Sequence, residues 1–249
     1  MATPSKTQFL TDVQALLKKR YKIGPSLEKL TTLEAVVYGI VHEGATREQA
    51  NEALARFKDG FFDWNEVRVS SLEEIQGILA GMTDAEGRAF RIRRFLRQLF
   101  EKTYGFNLDQ LVKKPQKESL KSLEEYDAMA SDYVLATVIR LALAGHAIPI
   151  DEPALRALHR LGITEDDSDA PTTRSILERA VPKNRGVEFS DLIEELAHDT
   201  CVEGTPNCPD CDLRKICPTG LARKNEAAVA TRSAKVVAKA KPGKAKSSE

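Results

Sequence analysis

The chain has 249 residues and a mass of 27.6 kDa, room for one large domain or two small ones around a real hydrophobic core. Its 37 basic and 37 acidic side chains cancel, which taken as an average excludes the strongly basic class of nucleic-acid binder. No stretch approaches the roughly 18 to 20 unbroken apolar residues of a membrane helix, and the first residues lack an apolar leader core, so a cytoplasmic protein with no membrane partner is expected.

The predicted elements are helical almost throughout. Leu10, Val13, Leu16 and Leu17 form one stripe at helical spacing, and Leu33, Val36, Val37, Ile40 and Val41 form a second. Phe57, Phe61, Phe62 and Trp64 read as core aromatics. Further helices fit Leu72 to Leu79 and Arg88 to Lys102, the latter with Ile92, Phe95, Leu96 and Leu99 on one face and a solvated basic face of Arg88, Arg91 and Arg94. From Asn107 to Lys121 the chain is polar and Lys-rich, including Lys113 and Lys114, and reads as a surface loop. Tyr133 to Ala144, Pro153 to Leu161, Thr172 to Ala180 and Phe189 to His198 complete the series. Gly60, Gly105, Gly145 and Gly162 each stand where a C-terminal cap wants a left-handed residue. His146 and His159 read as exposed or core-edge residues. Alternation of period two is almost absent, so the fold class is all-α.

The zero net charge is an average of two unlike parts. From Arg223 to Glu249 eight basic residues face only Glu226 and Glu249, a net +6, which leaves −6 on residues 1–222. This tail has no aromatic residue and alternates Ala and Val with Lys, so it is expected to be disordered and to serve as a sequence-independent tether to phosphate backbones.

The four cysteines all fall between Cys201 and Cys217, in the order Cys201, six residues, Cys208, two residues, Cys211, five residues, Cys217. In a reducing compartment such a cluster points to a metal centre. The two-residue gap folds into a turn that aims both thiolates the same way, whereas a zinc ribbon has two short-gap pairs. Iron-sulfur ligation, structural zinc and unligated thiols stay open on spacing alone.

That spacing resembles the [4Fe-4S] loop of the endonuclease III family of helix-hairpin-helix DNA glycosylases. The run Ala147-Ile148-Pro149-Ile150-Asp151-Glu152-Pro153-Ala154-Leu155-Arg156, with Leu161-Gly162-Ile163 beyond it, is similar to the element that follows the family's hairpin. The turn Val41-His42-Glu43-Gly44-Ala45-Thr46 matches a polar turn after the first barrel helix, and coverage runs from about Leu30 to Cys217. The resemblance implies two lobes, one a six-helix barrel and one carrying a [4Fe-4S] cluster on Cys201, Cys208, Cys211 and Cys217. The division expected is 1–30 for the N-terminal helix of the cluster lobe, 31–147 for the barrel lobe with a degenerate hairpin, 148–222 for the cluster lobe and 223–249 for the tail.

The resemblance also implies a monomeric repair enzyme on double-stranded DNA, nucleoid-associated in a bacterium, with Asp151 as the carboxylate that stabilises a cationic sugar or activates water. On its own, Asp151 followed by Glu152 and Pro153 is an ordinary helix N-cap. The position of the family's strand-cleaving lysine falls on or near Tyr133, and no lysine occurs between Lys121 and Lys183, so Schiff-base lyase chemistry is not expected. Relatives that carry a glutamate in the first barrel helix place it near Ile40 here, with Glu34 and Glu43 out of register. The hairpin lacks the Gly-x-Gly turn: Asp127-Ala128-Met129-Ala130-Ser131-Asp132-Tyr133 has no glycine and two acids. Ser131, Arg214, Lys215, Lys113 and Lys114 are the candidate DNA contacts. The alternative function is a catalytically silent relative that keeps fold and cluster as a DNA-binding or protein-interaction module.

Overall fold

In the computed structural model, residues 5–24 and 29–225 are described, and the helices begin where the sequence supplies a capping oxygen. Ser5 opens α1 (Lys6–Arg20), Thr31 opens α2 (Thr32–His42) and Thr46 opens α3 (Arg47–Gly60), the last two with complete capping boxes to Glu34 and Gln49. Asp63 caps α4 (Trp64–Val69), Ser71 caps α5 (Leu72–Ile78) and Asp84 caps α6 (Ala85–Thr103). After a 3-10 turn at Asp109–Lys113 come α7 (Gln116–Leu123), a second 3-10 turn at Asp127–Ala130, and α8 (Asp132–Leu141) capped by Ser131. Asp151 caps α9 (Glu152–Arg160), Asp169 caps α10 (Ala170–Ala180), and α11 (Lys183–Asp199) follows Pro182. Among the described residues there is no strand, and no helix is long and apolar enough to cross a membrane.

Among the described residues these helices build two large hydrophobic cores and a small third cluster of Ala136, Ile139 and Ala147. One joins α2 to α8 around Tyr38, Phe57, Ile92, Phe95 and Leu99, with α2 packed along α8 at its centre. The other takes Leu10, Val13 and Leu17 of α1 together with α9, α10, α11 and Leu213. The chain therefore starts in the second body, builds the first and returns.

Several local expectations are corrected. The segment read as a loop at 107–121 folds into the 3-10 turn and most of α7, because Leu111, Ser119 and Leu123 are buried beneath their lysines. Gly162 is left-handed as expected (φ 67°), but Tyr104 and Ala144, not Gly105 and Gly145, take the left-handed turns at the ends of their helices. Gly145 is needed for closeness: a Cβ there would stand 2.4 Å from Ile139 Cγ2. Gly60 remains inside α3, where a Cβ would meet Ile78 Cδ1 at 2.9 Å. Of the aromatics read as core, Phe57 is buried and Trp64 packs against it, while Phe62 is 94% exposed. Of the expected disordered tail, residues 223–225 close a terminal helical stretch 218–225, and 226–249 lie outside the described residues.

Candidate functional site

The C-terminal end of α2 leaves carbonyls without helical partners, and one side chain takes three of them. Arg88 of α6 donates to the carbonyls of Ile40 at 2.7 Å, Val41 at 2.8 Å and Glu43 at 2.7 Å. It is buried, which corrects its placement on a solvated face. The signal was present in the sequence, since Arg88 lies four residues before Ile92 on the apolar row.

The turn that Arg88 holds carries the site. Gly44, at φ 73°, donates its N–H to Asp151 Oδ2 at 3.1 Å, and Ala154 N–H donates to Asp151 Oδ1 at 2.9 Å. Asp151 is thus at once the N-cap of α9 and a bridge to the α2 turn, and only 8% of it is exposed. Burial pushes its carboxyl above the usual aspartate range, against the two N–H donors and the nearby His42, which favour the charged form.

Tyr133 stands beside it on α8, its ring edge-on to His42 with centroids 5.9 Å apart. Burial, and then the negative charge of Asp151, keep its phenol protonated far above neutral pH. Tyr133 therefore offers a hydroxyl and no amine.

Behind these residues lies a buried ion network between the two bodies. His42 Nε2 is 2.9 Å from Glu194 Oε1, and Arg47 pairs with Asp191 at 3.0 Å and with Glu194 at 3.4 Å. Arg140 reaches Asp191 at 3.0 Å, with both side chains 8% exposed. Burial alone would raise the Glu194 carboxyl, but His42, Arg47 and Arg140 outweigh it and hold Glu194 below the usual range. None of these five residues was singled out as a site residue from the sequence. Their signal is a charged or imidazole side chain on an otherwise apolar helix face.

In the hairpin, Ser131 caps α8 by accepting from Val134 N–H at 3.2 Å and donates its hydroxyl to Glu43 Oε1 at 2.7 Å. The acids there are paired: Asp127 with Arg94, Asp132 with Arg174 at 2.9 Å, and Glu43 with Arg91 at 2.7 Å. The two hairpin aspartates are thereby neutralised from α6 and α10. Lys113 and Lys114 are exposed at the end of the first 3-10 turn, and Arg214 and Lys215 are exposed in the cysteine loop, where Arg214 donates to Pro209 O at 2.6 Å. His146 and His159 are part-buried and bond backbone carbonyls, at Glu178 and Val181 and at Ser168.

Beyond α11, Cys201, Cys208, Cys211 and Cys217 line a single small pocket together with Leu161, Leu196 and Leu213. Helix α9 straps this loop in place. Arg156 and Arg160 both donate to Cys201 O, Arg160 also reaches Val202 O at 2.7 Å, and its Nη1 lies 3.6 Å from Cys201 Sγ. Burial and the neighbouring sulfurs push the Cys211 and Cys217 thiols up. Among the described residues, no group of three His, Cys, Asp or Glu side chains is placed to hold a single metal ion.

No family model matches the chain. Endonuclease III of Synechocystis sp. (strain ATCC 27184 / PCC 6803 / Kazusa) is 25% identical over 220 residues, covering 88% of this chain and 95% of that protein. The chain is a homologue of endonuclease III. An endonuclease III homolog of Encephalitozoon cuniculi is 30% identical over 74 residues, 30% of this chain and 31% of that protein. Among solved structures, a trapped endonuclease III–DNA covalent intermediate superposes with a TM-score of 0.70 at 17% identity, covering 89% of this chain and all of that one. A thermostable thymine-DNA glycosylase gives 0.62 at 14% identity, covering 87% and 97%. The endonuclease III homologue therefore has the all-α, two-lobed helix-hairpin-helix fold. With the lobes so identified, Asp151, Tyr133 and the ion network lie where the two meet.

Proposed function

We propose that this endonuclease III homologue is a DNA N-glycosylase of base excision repair, acting on double-stranded DNA. The observation that carries the reading is Asp151: a buried carboxylate at a helix start, with both oxygens fixed by backbone N–H groups of two different lobes. Its relatives are named as endonuclease III, and structures of the same fold are named as complexes with DNA. The lobe division follows the two cores, with 31–147 as the barrel lobe, 148–222 as the cluster lobe and α1 joining the latter.

In this reading a damaged or mismatched nucleotide is rotated out of the duplex, and the bond between the sugar C1′ and the base nitrogen breaks. The electron pair leaves with the base, which takes up a proton, and the sugar becomes cationic. Asp151, ionised, stabilises that cation, and water adds to C1′ while releasing a proton, leaving an abasic site. Because Tyr133 stands at the hairpin position and bears no amine, no Schiff base forms there and the strand stays intact. Ser131 at the start of α8, with Arg214, Lys215, Lys113 and Lys114, supplies phosphate contacts.

The four cysteines, by type and spacing, suit a [4Fe-4S] cluster. A tetrahedral zinc needs all four sulfurs about 2.3 Å from one point, whereas a four-iron cube takes one thiolate at each iron and keeps them further apart. Four thiols around one pocket give one donor to each iron of such a cube. Such a cluster would cross-link the loop between α11 and the terminal helical stretch.

A panel of duplexes, each with one lesion or mismatch, tests the enzyme. Wild type is expected to leave alkali-labile abasic sites on at least one member and Asp151→Asn to lose them. A panel left wholly intact overturns the reading in favour of the silent relative, which the missing hairpin lysine and missing Gly-x-Gly turn support. Strand scission without alkali, trapped by borohydride, overturns the absence of lyase chemistry.

A further inference from the structure

One residue touches both ends of the cysteine loop. Arg160 closes α9, and its guanidinium donates from Nη1 to Cys201 O at 3.2 Å and Val202 O at 2.7 Å, and from Nη2 to Gly204 O at 3.2 Å. Its own carbonyl, one of those a helix end leaves without a helical partner, accepts from Thr219 Oγ1 at 3.0 Å and from the Cys217 thiol at 3.2 Å.

Arg160 Nη1 also lies 3.6 Å from Cys201 Sγ, and among the described residues no other side-chain N–H meets a cysteine sulfur. The other charges beside the loop are turned elsewhere. Arg214 lines the same pocket but donates to Pro209 O, and Arg156 donates to the carbonyls of Ala197 and Cys201. Asp210 accepts from Asn207, and Asp212 stands 3.8 Å from Arg20. The charged forms of Cys211 and Cys217 are favoured instead by backbone N–H groups, those of Leu213 and of Thr219 and Gly220. Those donors are neutral, whereas the donor at Cys201 carries a full positive charge.

A four-iron cluster held by four thiolates becomes more negative when it takes up an electron, and hydrogen bonds to its sulfurs are among the features that set its potential. A cation bonded to one ligand sulfur favours the reduced form over the oxidised form and so raises the potential. We propose that Arg160 sets the reduction potential of the cluster, through the N–H that its guanidinium places on Cys201 Sγ. The inference rests on the reading of the four cysteines as [4Fe-4S] ligands. The step concerned adds one electron to the cluster with no bond to cysteine formed or broken, and in the experiment an electrode supplies that electron.

Voltammetry of the full chain, carrying its cluster as isolated, reads the effect without a substrate. Arg160→Gln keeps a neutral N–H donor and drops the charge, and its reduction equilibrium is expected to be less favourable by about tenfold, a midpoint lower by about 59 mV for one electron. Arg156→Gln takes the same charge from the same helix and a bond to the same Cys201 carbonyl but touches no sulfur, and its midpoint is expected to move far less. An unchanged midpoint in Arg160→Gln, or equal shifts in the two variants, overturns the proposal. Should Arg160→Gln fail to hold its cluster, wild type decides: grown with arginine labelled with nitrogen-15 in the guanidinium and then reduced, it must show a nitrogen-15 coupling in the pulsed EPR of the cluster. A spectrum without that coupling overturns the proposal. A colourless wild type overturns the cluster reading and this inference with it, whereas a coloured protein whose midpoint is unmoved in Arg160→Gln overturns the inference alone.

Discussion

The hairpin at Asp127–Asp132 and the cysteine loop at 201–217 are both short irregular segments that end against a helix, and they differ in what holds them. The hairpin buries Ala128 and Met129 in the first core, while its acids are tied by single ion pairs to α6 and α10, of which the Asp127–Arg94 pair is about half exposed on both sides. The cysteine loop is tied at its backbone, where Arg156 and Arg160 of α9 hold carbonyls of Cys201 and Val202 and Leu213 is fully buried. Exposed pairs contribute little and are screened by salt, whereas buried carbonyls with charged donors are costly to release.

The largest effect follows from removing a thiol. Cys211→Ser is expected to abolish visible absorbance from the cluster and to loosen the second core, seen as lost helical signal and early proteolysis in α9 to α11. A colourless wild type with an unchanged melting temperature on chelation would erase the contrast. Next comes the network between the lobes. Asp191→Ala strands Arg140 in a buried place, leaves Arg47 only its longer contact to Glu194, and should cost about 3–5 kcal/mol in urea unfolding, whereas Asp127→Ala in the hairpin should cost less than about 1 kcal/mol. Equal losses in the two variants would show that the hairpin is held as firmly as the lobe junction.

The two buried acids at the junction should also respond oppositely to pH. The Asp151 carboxyl is raised, so the folded state gains from its bound proton at acid pH and loses that gain as pH rises through the native value. The Glu194 carboxyl is lowered, so its contribution is present above the ordinary glutamate range and is lost as pH falls through the native value. The deficit of Glu194→Gln against wild type should therefore shrink on acidification, and that of Asp151→Asn should grow. Parallel deficits for the two variants would contradict both directions.

The helices and the cysteine set were legible because they rest on local rules. Stripes such as Leu33, Val36, Val37 and Ile40 give a helix its buried side, and the thiol spacing that resembles a known cluster loop lies within 17 consecutive residues, Cys201 to Cys217. The lobe junction was not legible in the same way, because His42, Arg47, Arg140, Asp191 and Glu194 are scattered over 152 residues of sequence and pair only when α11 returns to the second body, where the chain began. Gly105 and Gly145 misled for a related reason: Tyr104 and Ala144 accept the left-handed turn, while Gly145 is required by the approach of Ile139, a contact set by packing.

The smallest effect sharpens the comparison at the hairpin itself. Ser131 accepts from Val134 N–H and donates to Glu43, whose other oxygen holds Arg91, so one hydroxyl links the start of α8 to the turn that carries His42 and Gly44. Ser131→Ala removes a cap and leaves Glu43 still paired with Arg91, so a loss of about 1 kcal/mol is expected. Ser131→Gly should lose only a few tenths, since glycine tolerates the cap backbone. If Ser131 merely caps α8, Asp151 titrates identically in both variants; if its bond to Glu43 also fixes the α2 turn, the Asp151 midpoint shifts in both by the same amount although their stabilities differ. The two outcomes separate a hairpin that only ends a helix from one that helps set the carboxylate behind it.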